Sequence, residues 1–411
     1  MPVSKTQLEA SVALRSAGSN GRRREATMDG VIYCDSGKYL VRRAGEEAEA
    51  GRIGGLLLSA ALTPRHRLNN TSQRANEQVE RCIDAVGNHG VPAMVDAMTH
   101  IATFPTVALT ETYDSWNLWR PGSFGRLGTQ AQRRDHVSRV LAAQASVGVT
   151  GLAPTLCLES PTTARAQRVL SMVDIAMSTN REAWVTIAGT PSFWSSSALD
   201  LENYLDDVLA FAPQGFVLAV IRGTARYPVA GSSQEEVEGL ARSIRRLAES
   251  APVVVSHGDL AALPALAAGA SGIGSGPDVR QRVLSPASFQ PATGGSYTFR
   301  VTFQGLLSAF GRADSRRLFT ADPAVAAALA PGPMPTNEKD AYRGHFATLG
   351  RLMTDLRTLP NARRRAYHLR GLYDAALPHW ASLAIRPQMG RTEWIDPFRD
   401  GLGAYIAGEG W

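Results

Sequence analysis

Lysine is nearly missing from this sequence. Of 411 residues only Lys5, Lys38 and Lys339 are lysines, so arginine supplies almost all of its 43 Lys and Arg cations. Schiff-base chemistry needs a lysine at a strand end, and none occurs between Lys38 and Lys339. Cysteine is as scarce. Cys34, Cys82 and Cys157 lie far apart with no CxxC spacing, which excludes a disulfide framework and a cysteine-ligated zinc site and fits a reducing, cytoplasmic compartment. Long apolar runs are lacking too: the run from Leu56 to Leu62 is far shorter than a membrane span, and the polar, basic N-terminus has no signal-peptide core. A soluble chain is expected. A P-loop is absent, since Tyr39 follows Gly37-Lys38 where Ser or Thr is required, and no GxGxxG supports a Rossmann-bound NAD. The HxH pair of metal-dependent amidohydrolase barrels is absent as well, His66 standing alone after the run from Leu56.

What is present is a core. With 44 % hydrophobic and 19 % charged residues the chain is too apolar to be disordered. Residues 1–28 carry Arg22, Arg23 and Arg24 without apolar periodicity and read as a flexible basic arm. Thereafter short apolar runs alternate with amphipathic stretches. Eight runs stand out: Gly55 to Ala60, Pro92 to Met98, Val107 to Thr112, Gly151 to Thr155, Ala183 to Gly189, Phe216 to Arg222, Pro252 to His257 and Ala270 to Gly274. This pattern predicts an α/β fold, a (β/α)8 TIM barrel over 29–285, with a doubly wound sheet as the competing topology. Val31 to Cys34 falls outside the eight and reads as a lid, an N-terminal hairpin or the true first strand. Residues 286–411 read as a mainly helical, arginine-rich extension, broken by Pro331, Pro333 and Pro335. Net charge divides the same way. From residue 280 onward 17 basic residues face 10 acidic ones, whereas the preceding part has 26 against 27.

Barrel active sites lie at the C-terminal ends of the strands. Those positions hold Asp96, Glu111, Asp114, Thr155, Arg222, His257 and Asp259. Asp96, Glu111 and Asp114 are candidates for acid/base work or for a divalent metal. His257 is the candidate proton shuttle, and Arg222 the candidate clamp on substrate charge. Some of these residues serve equally well as helix caps, Asp259 before Leu260 above all. Gly258, with Gly272, Gly274, Ser275 and Gly276, forms a glycine-rich pair of loops suited to a phosphate or carboxylate, or else to tight packing at the barrel rim. The expected substrate is therefore a small anion.

The segment order also resembles the tRNA-guanine transglycosylases and their DNA-modifying relatives. The residues that carry this are Gln144-x-x-x-Gly148, Val185-Thr186-Ile187-Ala188-Gly189, Gly215 to Gly223, Ser256-His257-Gly258-Asp259 leading to Gly269-Ala270, and Asp35-Ser36-Gly37. The resemblance covers about a third of the chain and implies a barrel that exchanges a base on nucleic acid. The family's zinc cysteines have no counterpart, and Gly274-Ser275 stands where its nucleophilic aspartate is expected, with Asp278 nearby.

Tyr113, Trp116, Trp119, Phe193 and Trp194 follow strands and suit either stacking on a ligand or a minor core over the barrel mouth. Arg363, Arg364, Arg365, Tyr367, His368 and Arg370 read as a solvated face or as a contact for nucleic-acid phosphate, which leaves open a non-catalytic barrel with a binding extension. Oligomeric state has no signal in the sequence.

Overall fold

The computed structural model describes residues 28–34, 40–60, 77–104, 116–227, 229, 232–290, 299–387 and 391–411. Nine strands form one parallel sheet: β1 Gly30–Cys34, β2 Gly55–Ser59, β3 Ala93–Asp96, β4 Leu152–Ala153, β5 Cys157–Leu158, β6 Trp184–Gly189, β7 Phe216–Val220, β8 Val253–Ser256 and β9 Gly272–Ser275. Their order is β3-β2-β1-β9-β8-β7-β6-β4, with β5 also on β6. The last strand thus pairs with the first, Ile32 opposite Gly274, as in a barrel. β4 and β5 are one stave interrupted around Pro154, a residue with no N–H to give a ladder. That makes eight staves in a (β/α)8 barrel.

The first stave is Val31 to Cys34 itself, which resolves the three readings left open for it. The run from Val107 to Thr112 lies outside the described residues; the other seven runs coincide with staves. Among the described residues, backbone pairing goes all the way round except between β3 and β4. There a side chain takes over. Gln144, on α3 (Gln130–Ser146), donates from Nε2 to Val95 O at 2.8 Å and to Leu152 O at 3.0 Å, and its Oε1 accepts from Leu152 N at 2.9 Å. A glutamine amide reproduces the donor and acceptor of a peptide group, so it can stitch a seam where the strands splay.

The barrel interior is filled by Ile32, Leu57, Met94, Leu152, Trp184, Val217 and Val254, one from each of seven staves, with Met28 below. The eighth stave contributes glycine. A Cβ on Gly272 would come 3.0 Å from the Ile32 side chain, so that position has room only for hydrogen. The outward residues face the helices, of which α1 is Leu40–Glu49, α2 Glu77–Gly87, α4 Ala164–Thr179, α5 Ala198–Leu209, α6 Gln234–Ala248 and α7 Leu263–Ala268. Both faces are apolar, which is why the strands read as continuous hydrophobic runs.

The extension holds a hairpin, β10 Arg300–Phe303 with β11 Ser308–Gly311, then α8 Arg312–Ala321, α9 Pro323–Leu329, α10 Glu338–Arg357, α11 Ala362–Ala381 and α12 Arg391–Gly408. α11 packs on α7, and α12 on α6. Within the extension, Trp380 and Trp394 tie α11 and α12 to the hairpin by donating to the carbonyls of Leu306 and Leu307. No helix among the described residues is long and apolar enough to cross a membrane.

Candidate active site at the barrel mouth

Strand alternation carries the interior face up to the C-terminal ends, where Ser59, Asp96, Thr186, Ser256 and Gly274 follow Leu57, Met94, Trp184, Val254 and Gly272 by two residues. Asp96 is 7 % exposed, and its Oδ1 accepts from Met98 N at 2.7 Å. The left-handed φ of Met98, 53°, turns that amide back onto the carboxylate. Burial outweighs this bond and pushes the Asp96 carboxyl up to about 6. His100, in the 3-10 turn Thr99–Thr103 after β3, is buried with no hydrogen-bond partner for either ring nitrogen among the described residues. Burial first, and then the proximity of His257, hold it down at about 3. His257 follows β8 with a φ of 51°, its Nδ1 without a partner among the described residues, and burial lowers it to about 4. Thr186 Oγ1 is a further buried atom with no partner among them. At neutral pH the mouth therefore presents a carboxyl titrating near pH 6 and two neutral imidazoles. Buried polar groups are normally satisfied, and their exceptions concentrate where a ligand completes them.

Two residues beyond His257 the picture reverses. Asp259, fully buried, accepts from the hydroxyls of Tyr227 and Ser275, from Leu260 N at 2.7 Å, and from His345 Nε2 at 2.7 Å. Since a carboxylate only accepts, His345 carries its proton on Nε2, and Nδ1 takes the Thr302 hydroxyl at 2.7 Å. Arg282 lies 3.8 Å from Asp259 and 5.3 Å over the Tyr227 ring. Burial opposes ionisation of Asp259, but His345, Arg282 and the donated hydrogen bonds hold it well below the usual carboxylate range. Burial, with Arg282 beside it, lowers His345. Thr302 and His345 come from the extension, so this network clamps the extension to β8 and β9. Ser, His and Asp are all present, but Ser275 and Asp259 both meet His345 at Nε2, which is not the arrangement of a nucleophilic triad.

The other expected site residues divide accordingly. Glu111 and Asp114 lie outside the described residues. Arg222 is not an open clamp: its guanidinium is held by the Glu236 carboxylate in a buried two-point pair, at 2.7 Å for Nη1. Trp194 is fully buried, donates to Gly189 O at 3.2 Å and lies in the core with Phe193, so it offers no stacking face. Trp116 is buried with its Nε1 unpartnered among the described residues, and Trp119 stacks on His136 at 3.8 Å. The glycine loops are furnished with the protein's own carboxylates. Asp278 caps the single turn Val279–Arg282 in a capping box with Gln281, and Asp259 occupies Ser275. Gly258 and Gly274 are close-packed, a Cβ meeting the Ala262 Cβ at 2.5 Å in one case and His257 N at 2.5 Å in the other, while the Gly276 carbonyl accepts from Arg282 at 2.8 Å. Gly258 and Gly274 thus serve close packing, and the Ser275 hydroxyl is already given to Asp259. Gln144, part of the transglycosylase-like pattern, serves the seam.

Among the described residues no group of three or more His, Cys, Asp and Glu is arranged to hold a metal ion, and the three cysteines are buried and form no disulfide. His100, His345, Tyr227, Arg282 and Thr302 are the residues the sequence did not single out. His100 could have been found from its place just past a strand end.

No family model and no curated protein matches the chain. Solved structures of similar architecture include 3-dehydroquinate dehydratase from Enterococcus faecalis, 12 % identical over 63 % of this chain and 93 % of that one, with a TM-score of 0.34. The enzyme of the same name from Geobacillus kaustophilus is 12 % identical over 64 % and 89 %, with a TM-score of 0.36. A phospho-2-dehydro-3-deoxyheptonate aldolase from Thermotoga maritima is 14 % identical over 64 % and 66 %, with a TM-score of 0.33. The resemblance to tRNA-guanine transglycosylases holds for the barrel alone, which this chain's own strand pairing shows.

Proposed function

We propose that the protein is an enzyme whose barrel mouth carries out acid/base chemistry on a small molecule, with Asp96 as the group that exchanges the proton. The observation that supports this most is the buried Asp96 carboxyl with its pKa near 6, at the end of the strand that leads to His100, whose two ring nitrogens, like Nδ1 of the nearby His257, lack partners among the described residues. A carboxyl poised there is protonated often enough to give a proton and ionised often enough to take one. His257 serves as donor or acceptor to the substrate, its ring fixed by a strained backbone. An anionic substrate remains the reading of the sequence, and the neutral imidazoles of His100 and His257 would hold it by hydrogen bonds. A metal-assisted route would add Glu111 and Asp114 to Asp96.

The test is a thermal-shift screen of small metabolites against the wild-type protein, Asp96→Asn and His257→Ala. A ligand should raise the wild-type Tm and leave both variants unmoved. Ligands that stabilise all three proteins equally would overturn the assignment.

A second reading, base exchange on nucleic acid, draws on one observation: β1 is the first stave, so Asp35-Ser36-Gly37 follows it directly in sequence, where barrel sites begin to be built. Incorporation of labelled guanine into tRNA or DNA, lost in Asp35→Asn, would favour it over the first.

A further inference from the structure

Away from the mouth, the start of α11 carries positive charge of an unusual kind. Several described arginines of the extension are tied down: Arg357 pairs with Asp29, Arg343 with Glu46 and Glu47, Arg399 with Asp374, and Arg365 donates to Ala267 O at 3.1 Å. Arg363 and Arg364 are exposed and have no acidic partner among the described residues. The Arg363 guanidinium lies 6.0 Å from the ring of Tyr367, which is 44 % exposed. With Asn361 these three line a surface concavity of about 540 Å³. Arg365 reaches Ala267 and Arg357 reaches Ser271, both just ahead of β9, so this surface belongs to the base of the barrel, opposite the mouth.

Two unpaired guanidiniums and an exposed aromatic face on one concave surface match a ligand that alternates phosphates with flat rings. A carboxylate-rich peptide would need the arginines but not the ring, and a duplex would keep its bases from the tyrosine. We propose that the surface formed by Arg363, Arg364 and Tyr367 docks single-stranded nucleic acid, independently of whatever the mouth transforms. The arginines take adjacent phosphates and Tyr367 stacks on a base between them.

The test is fluorescence anisotropy of a short labelled poly(dT) strand with the full chain, titrated over a range of salt. Each arginine contact contributes about 0.7 to the slope of log affinity against log salt on a single strand, so Arg363→Gln/Arg364→Gln should flatten it by about 1.4. Tyr367→Ala should weaken binding about tenfold and Tyr367→Trp restore it, as loss and return of one stacked base require. Arg245→Gln/Arg246→Gln removes the same charge from α6, where both arginines are already paired, and should leave binding unchanged. The proposal falls if wild-type protein does not bind the strand at low salt, or if both arginine pairs weaken it alike. It falls equally if Tyr367→Ala binds as wild type does, since the surface would then read charge without bases.

Discussion

His257 and Asp259 are separated by one glycine, and both have a left-handed backbone, yet they enter opposite environments. Asp259 reaches into a network where the hydroxyls of Tyr227 and Ser275, an imidazole, a backbone amide and a guanidinium all answer its charge. His257 joins Asp96, His100 and Thr186, a group with polar atoms left over. Both regions hold an aspartate, histidine and threonine. The difference is satisfaction, and it separates a structural clamp from a candidate site: a buried charge whose partners are complete stabilises a contact, whereas incomplete partners carry a standing cost that a ligand can relieve.

The strongest way to break this comparison is to remove one member from each region. His345→Ala leaves Asp259 without its imidazole and cuts the tie to Thr302, and should cost about 3–5 kcal/mol in urea unfolding at neutral pH. His100→Leu removes an imidazole that makes no hydrogen bond, and should stay within about 1 kcal/mol of wild type. Equal losses would erase the distinction.

Asp96→Asn sharpens it further. The native carboxyl is raised from 3.8 to about 6, so its ionised form is disfavoured in the fold at pH 7. Its neutral isostere should gain about 1–3 kcal/mol of stability while losing the ligand response, the trade expected of an active-site group. A loss of stability would move Asp96 to the structural side.

The smallest effect is in the pH dependence. His100, His136 and His257 have native values of about 3, 4 and 4, below the 6.5 of the unfolded chain. The unfolded state therefore binds more protons below pH 6.5, and stability falls as pH drops from there toward 4, by about 1.4 kcal/mol per unit for each histidine. Asp96 acts in the opposite sense, favouring the fold as pH drops from about 6 to 3.8. Asp259, held low, contributes only below its unfolded value. In His100→Leu the slope between pH 6 and 4 should be shallower by about 1.4 kcal/mol per unit, measured by urea titrations across that range.

Much of the barrel was legible in the sequence because its staves are buried on both faces, and continuous apolar runs between helices have few other solutions. Asp96 and His257 were legible as well, since they fall at the ends of those runs. The first stave was ambiguous because Val31 to Cys34 is short, and only its pairing with β9 identified it. The partners of Arg222, Trp194 and Ser275 were not legible for one reason: type and position propose a role, but the partner is supplied from elsewhere in the chain. Glu236 lies 14 residues from Arg222, and His345 lies 86 from Asp259. The sequence by itself therefore determined the alternation of short apolar runs and amphipathic stretches, the scarcity of lysine, which leaves Lys38 after β1 as the one lysine that follows a stave directly in sequence, and which residues end the other staves. Only the tertiary structure decided which of those residues are satisfied, because hydrogen-bond partners are brought together by chain closure across distances that local pattern does not encode.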